Sequence, residues 1–302
     1  MPVNIRLPSK PCPAALGLDD PTVIIQQLQS LLPFFPTLRW VERTDSTNAD
    51  LLELARAGSG QLIRPWLLGA HLQDRGRGRA GRTWENRRGG HLMFSCAFDI
   101  FLPARQLATL SPLAGVAATE ALRALLPIQD AHKLTMKWPN DILWRGGKLA
   151  GILTEVTRAS TSPLSADHHV VIIGIGVNLN DAKALSHALN RHVADWADVV
   201  SESPSLKDIS AAELAASIAK SWYQALNDVT AYGFKDLPTR YKKVDGLWDK
   251  SLSIIDNDQI LLEGVGAGIN EYGQLLLRRS GQTHAISVGE VSVRPTKPES
   301  TV

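Results

Sequence analysis

Residues Arg75-Gly76-Arg77-Gly78-Arg79-Ala80-Gly81-Arg82 constrain this chain more than any other eight in it. Three glycines among four arginines make neither a good helix nor a good strand interior. The segment must be a loop. Its backbone can bend closely around a ligand and point N–H groups at phosphate oxygens. Its guanidinium groups match phosphate geometry bidentately. Ordering such a loop costs roughly 1–2 kcal/mol per residue, so the sequence predicts a mobile cover that settles when an anion arrives. The wider charge pattern agrees. Six arginines between His71 and Arg88 face only Asp74 and Glu85, a local +4, while the whole chain carries +2. The remainder therefore sums to −2, which suggests a local anionic ligand rather than a polyanion lying along a face. Trp84 closes the segment with an apolar surface. No GxxxxGK[ST] occurs, so this is not a Walker phosphate loop.

Around the loop the pattern alternates between strands and helices. Pro21 to Leu32 reads as a short amphipathic helix capped by Asp20. A strand around Trp40 leads into a helix capped by Asp45, Ser46 or Thr47, with Leu51, Leu52, Leu54 and Ala55 on its apolar face and Gly58 at its end. Strands are expected at 66–72, His91–Phe98, Leu134–Lys137, Asp141–Trp144, Lys148–Val156 and Val170–Val177, the last one central. Residues 160–168 read as a turn. A long helix is expected over 103–126, stopped by Pro127, and two or three helices over 182–243. From Ser251 the chain changes to short alternating strands with glycine turns, which fits a small β-barrel. Three segments follow: a leader at 1–38, flexible over its first twenty residues, a large domain at 39–244 and a small one at 245–302.

Several function classes are disfavoured. No stretch of about 18 apolar residues appears, so no membrane span is expected. The N-terminus has four prolines in its first twenty residues and no apolar core of a secretory signal. Cys12 and Cys96 make neither a disulfide framework nor a zinc spacing, so a reducing, cytoplasmic setting is the simple reading. No helix-turn-helix is legible, so no DNA partner is expected.

Four further groups carry chemistry. Ser46-Thr47-Asn48 at a helix start supplies capping groups, and the same donors and acceptors suit a polar ligand head together with Gln73. Lys137-Trp138-Pro139-Asn140-Asp141 reads as a strand running into a turn. Lys148, opening the next strand beside Ala150 and Gly151, can reach into a cleft. In Gly174-Ile175-Gly176-Val177-Asn178, two glycines in an apolar strand suggest close approach of a ring or backbone.

The order of these motifs is more specific than any one of them. Ser-Thr-Asn, Gln-x-x-Gly-Arg-Gly-Arg-x-Gly-Arg-x-Trp, Lys-Trp-Pro-Asn-Asp, Lys-Leu-Ala-Gly-Ile-Leu and Gly-x-Gly-x-Asn follow one another as in the bacterial biotin–protein ligases, which this chain resembles from Trp40 to Arg294. The resemblance implies an α+β fold. A mixed β-sheet flanked by helices, class II synthetase-like, would carry a small C-terminal SH3-like β-barrel. It implies formation of biotinyl-5′-AMP from biotin and ATP, and transfer of biotin to a lysine of the biotin carboxyl carrier protein of acetyl-CoA carboxylase. Biotin would be held by Ser46, Thr47, Asn48, Gln73, Arg77, Gly78, Arg79 and Lys148. ATP and the adenylate would meet Gly76, Arg82, Trp84, Asn140 and Asn178, with Mg²⁺ accompanying ATP on no certain ligands. Lys148, Arg79 and Asp141 would be the catalytic groups. Asp74 and Arg75 depart from residues common in the family and alter the loop's charge. The chain resembles members without an N-terminal DNA-binding domain. Two alternatives stay open: a lipoate or octanoate ligase or transferase of the same fold, and a nucleic-acid-binding module built on the RGRG loop.

Overall fold

A computed structural model describes residues 17–57, 63–158, 167–256, 259–287 and 292–295. Gly58, most of the 160–168 turn, Cys12 and residues 289–291 lie outside the described residues.

Seven strands form one mixed sheet in the order β1-β2-β3-β7-β6-β5-β4. They are β1 (Thr37–Thr44), β2 (Trp66–Gln73), β3 (His91–Phe101), β4 (Leu134–Lys137), β5 (Asp141–Trp144), β6 (Gly147–Arg158) and β7 (His168–Asn178). β1 and β2 are parallel and every other pair is antiparallel. β7 is the fourth of the seven, central as its uninterrupted apolar run predicts.

Helices cover both faces. α1 (Pro21–Leu31), α3 (Leu110–Leu125) and α6 (Ala211–Tyr232) pack on one face, burying Phe94, Leu113, Ile173, Ile175 and Trp222 in the main core. α2 (Thr47–Arg56) covers part of the other, where Leu51, Leu52 and Ala55 meet Trp66, Leu68, Ala97, Val170 and Ile172. Alternation along β7 explains what happens beyond α2. Val170 and Ile172 pack beneath the helix, and the next two residues on that face are Gly174 and Gly176. The branched side chains stop where α2 stops, leaving an uncovered floor.

Two expectations need correction. The 103–126 segment is not one helix. Ala104–Thr109 is a 3₁₀ turn, and α3 begins at Leu110. Pro112 lies in the first turn of α3, where its missing N–H costs nothing. In a helix starting at 103 it would have deleted an interior hydrogen bond. Residues 182–243 hold four α-helices rather than two or three: α4 (Ala182–Ala188), α5 (Trp196–Glu202), α6 and α7 (Leu237–Val244). Capping boxes at Asp195/Asp198 and Ser210/Glu213 start α5 and α6, so local cap chemistry sets two of the extra boundaries.

After α7 the chain enters a separate antiparallel sheet, ordered β11-β10-β9-β8-β12. Its strands are β8 (Ser251–Asp256), β9 (Gln259–Ile269), β10 (Leu275–Arg279), β11 (Gln282–Ile286) and β12 (Ser292–Pro295). Trp138 Nε1 donates to Gly273 O at 2.9 Å, and Thr109 Oγ1 donates to Tyr272 O at 3.0 Å. The first bond fixes the second sheet against the turn that carries Asn140 and Asp141, and the other fixes it against the start of α3.

Candidate active site

The uncovered floor of the large sheet is the base of a cavity of about 150 Å³. Its lining includes Ser46, Thr47, Asn48, Gln73, Arg77, Gly78, Arg79, Arg82, Trp84, Asn140, Asp141 and Lys148. Twelve of the fourteen residues singled out from the sequence thus converge on one space. Gly76 and Asn178 are the two outside it.

One end of the cavity is a polar cluster at the start of α2. Ser46 caps the helix, its side chain accepting from Ala49 N. Thr47 N donates to Gln73 Oε1 at 2.8 Å, which links the helix to the end of β2. Ser95 Oγ donates to Asn48 Oδ1 at 2.6 Å, so Thr47 Oγ1 is the donor in its 2.7 Å contact with Ser95 Oγ. Asn48 Nδ2 donates to Glu155 Oε2 at 2.9 Å. The Gln73 amide N–H₂ meets the Met93 sulfur at 3.1 Å, a weak acceptor that a carbonyl ligand would replace with gain. The cluster needs Gly174, because a Cβ there would lie 2.1 Å from Asn48 Oδ1.

The other end is charged. Lys148 Nζ lies 2.5 Å from Asp141 Oδ1 and 5.6 Å from the centre of the Trp84 ring. A shift in register between β5 and β6 places it there. Ile142 faces Ala150 but Leu143 faces Lys148, so Lys148 and Gly151, three residues apart, share the site face. A Cβ on Gly151 would lie 3.1 Å from Lys148 Nζ. Asn140 donates to Ile152 O at 2.7 Å and accepts from Arg79 Nη1 at 3.2 Å. Burial lowers the Arg79 pKa, with Asp141 acting in the opposite sense.

The arginine loop is a folded hairpin in this structure. Gly78 N donates to Arg82 O, Trp84 N donates to Gly76 O, and Arg77 bridges to Thr83. Asn86 fastens its base to both ends, accepting from Gln73 N and donating to Gln73 O and Trp84 O. The local charge is also answered more fully than the sequence alone shows. Arg75 meets Asp45, Arg77 meets Glu155, Arg87 meets Asp181 and Arg88 meets Glu42. Arg79 and Arg82 line the cavity.

Trp84 organises the middle. Its indole lies flat on the cross-strand pair Gly151–Gly176, where a Cβ on Gly176 would come within 2.4 Å of the ring. The close approach expected at this strand is therefore made by the chain's own tryptophan. Beyond the ring, Trp84, Lys148, His91, Asn178, Leu189 and Arg191 line a second, smaller cavity. Trp84 and Lys148, with Thr83 and Arg191, belong to both spaces and form the wall between them. Asn178 borders this second space, but both its amide hydrogens are engaged, one by Lys148 O and one by Ala194 O, each at 3.0 Å. Only its Oδ1 remains for a ligand, and its evident task is to hold the Lys148 backbone. His91 is buried, and burial lowers its pKa to about 4. A third cavity adjoins the charged end, where Arg79, Arg82, Lys137, Arg191 and Arg294 face the single carboxylate of Asp141.

Ser95, Asn86, Glu155 and His91 were missed from the sequence. Ser95 alone left a trace, as a polar residue inside the apolar run MFSCAF. Among the described residues, no cluster of three His, Cys, Asp or Glu could hold a metal, and no helix is long and apolar enough to cross a membrane.

Residues 40–178 match the family model described as the biotin/lipoate A/B protein ligase family. The bifunctional ligase/repressor BirA of Salmonella typhimurium is 30% identical over 250 residues, which span 83% of this chain and 72% of that protein. The biotin–[acetyl-CoA-carboxylase] ligase of Mycobacterium tuberculosis is 39% identical over 143 residues, covering 47% of this chain and 49% of that one. In fold, the chain is similar to the biotin protein ligase from Aquifex aeolicus in complex with biotin and ATP, with a TM-score of 0.66 at 24% identity, covering 87% of this chain and all of that one. With the ordered motifs gathered on one cavity, these likenesses place the chain in the biotin–protein ligase family.

Proposed function

We propose that this chain joins biotin to ATP to give biotinyl-5′-AMP and pyrophosphate, then transfers biotin to a lysine of a biotin carboxyl carrier protein. The observation that carries this reading is the wall formed by Trp84 and Lys148. It separates a polar cavity from a second cavity, with a cation at the junction. A bent acyl-adenylate needs that arrangement: one space for the acyl head, one for the nucleoside, and positive charge where carboxylate and phosphate meet.

In this reading Ser46, Thr47, Asn48 and Gln73 surround the cyclic urea, whose carbonyl needs donors and whose N–H groups need acceptors. A carboxylate is a poor electrophile. Its oxygen attacks the α-phosphorus of ATP, the bond to the β-phosphate bridging oxygen breaks, and pyrophosphate departs. Lys148, Arg79 and Arg82 stabilise the charge developing on the phosphoryl oxygens, a contribution worth about 10²–10³ in rate for one preorganised donor elsewhere. Arg77 and Gly78 belong to the hairpin over this centre, with Gly76 at its base, and the closed hairpin keeps water from the anhydride. Pyrophosphate leaves toward Lys137, Arg191 and Arg294. Adenine lies beyond Trp84, near Asn178 Oδ1. Mg²⁺ is part of the ATP substrate. Asn140 and Asp141 would offer it oxygen ligands, and a single carboxylate would suit an ion that phosphates and water mainly coordinate.

In the second step the neutral amine of the acceptor lysine attacks the acyl carbon, an amide forms, and AMP leaves with the bonding electrons. Asp141 is the proposed base for the amine proton. Cys96 is buried and unpaired, consistent with a reducing, cytoplasmic setting. The test is pyrophosphate release from ATP with and without biotin, in the wild type and in Lys148→Ala. Biotin should stimulate release in the wild type, and the variant should lose most of that stimulation. A wild type indifferent to biotin overturns the proposal.

A further inference from the structure

Glu155, on β6, has no role in the reading above. Its carboxylate is nonetheless the point at which the hairpin and the polar cluster meet. Arg77 Nη2 lies 2.7 Å from Oε1 and 2.5 Å from Oε2, and Asn48 Nδ2 donates to the same Oε2 at 2.9 Å. We infer that Glu155 is a positioning residue that latches the arginine hairpin over the site and fixes the orientation of Asn48, so that retention of the activated intermediate depends on it. This rests on the reading that the chain makes an acyl-adenylate.

Three observations carry the inference. Glu155 faces Ile172 across the sheet, beside the apolar patch under α2, and its side chain is only 23% exposed. A carboxylate there loses solvation, which Arg77 and Asn48 offset. Next, the Asn48 amide is held from both ends: Ser95 donates to its oxygen while its nitrogen donates to Glu155. Leu153 O, 3.3 Å from the same nitrogen, is its weaker second acceptor, so losing the carboxylate leaves that end on the longer bond alone. Finally, Arg77 sits between Gly76 and Gly78, whose backbone bonds to Arg82 and Trp84 close the hairpin on itself without tying it to the sheet. Its side chain is therefore an anchor of the hairpin to the sheet. An unbroken polar chain results, running Arg77, Glu155, Asn48, Ser95, Thr47, Gln73.

The experiment compares wild type, Arg77→Gln, Glu155→Gln, the double variant and the charge swap Arg77→Glu/Glu155→Arg. Each is given biotin and ATP with pyrophosphatase. Biotinyl-AMP is then measured separately in the ultrafiltrate and bound to protein, alongside the rate of pyrophosphate formation. For a half-exposed pair, about a three- to tenfold rise in the free fraction is expected from either single change, with a smaller effect on the formation rate. The double variant should leak no more than the worse single, and the swap should restore part of the retention. Arg77→Gln lies on an exposed hairpin and keeps the test available if Glu155→Gln fails to fold. Single variants that retain the adenylate like the wild type, or single effects that multiply in the double, overturn the inference. A wild type that forms no adenylate overturns the reading beneath it, whereas one that forms and holds it while Arg77→Gln does so equally overturns this inference alone.

Discussion

Replacing Gly174 with alanine tests the polar end of the site without touching a ligand-facing side chain. The added Cβ would sit 2.1 Å from Asn48 Oδ1 and 2.8 Å from Ser95 Oγ. Ordinary contact begins at 3.4 Å, so Asn48 must retreat by about 1.3 Å, and the two neighbours are side chains on the helix above the sheet and on the adjacent strand. Overpacking of this kind costs about 1–3 kcal/mol. Breaking the Ser95–Asn48 bond, which is buried, adds about 1–3 kcal/mol for a polar group left unsatisfied. A total near 3 kcal/mol divides between the melting temperature, at about 2–4 °C per kcal/mol, and ligand binding, at about tenfold per 1.4 kcal/mol. Calorimetric titration of biotin should therefore weaken by about tenfold or more, while ATP binding, centred beyond Trp84, changes far less. Unchanged biotin affinity in a folded Gly174→Ala protein would refute the assignment of this cluster to the acyl head.

Three other outcomes follow from the same geometry. Gly176→Ala pushes a Cβ to within 2.4 Å of the Trp84 ring, so it should impair ATP and biotin use together, read as losses in both kcat/KM values. Lys148→Met leaves Asp141 unpaired beside the phosphate path, so the pyrophosphate-forming step should fall by about 10²–10³ in single-turnover assays. His91, 1% exposed, has its pKa lowered from 6.5 to about 4. The unfolded chain therefore binds the proton first. Stability is full above about pH 6.5 and declines as pH falls toward 4, by about 3 kcal/mol at most. Denaturant melts should show that slope, and His91→Leu should flatten it.

The sequence made the site legible wherever one residue type in one position carried the chemistry. Trp84, Lys148 and the Ser46–Asn48 cap announced themselves by type and order, and β7 by its apolar run. What the sequence hid depended on partners distant along the chain. The arginines from Arg75 to Arg88 looked like a bare cationic patch because Glu42 and Asp45, Glu155, and Asp181 come from three other segments. The shared face of Lys148 and Gly151 depends on a register shift that no periodicity reports. Asn178 at its strand end gives no sign in sequence that its amide hydrogens go to carbonyls 30 and 16 residues away, which leaves Oδ1 as the atom that can face a ligand. The helix at 103–126 was overextended because apolar periodicity was weighed above the position of Pro112.

Biotin activation and delivery to a protein lysine are the two steps assigned to this site. The most direct measurement is the intact mass of a biotin carboxyl carrier domain after incubation with this chain and ATP, with biotin in one reaction and lipoate in another. The account predicts a single biotinyl addition, mapped to one lysine, and none from lipoate. A carrier left unmodified by biotin, or modified by lipoate instead, would contradict it.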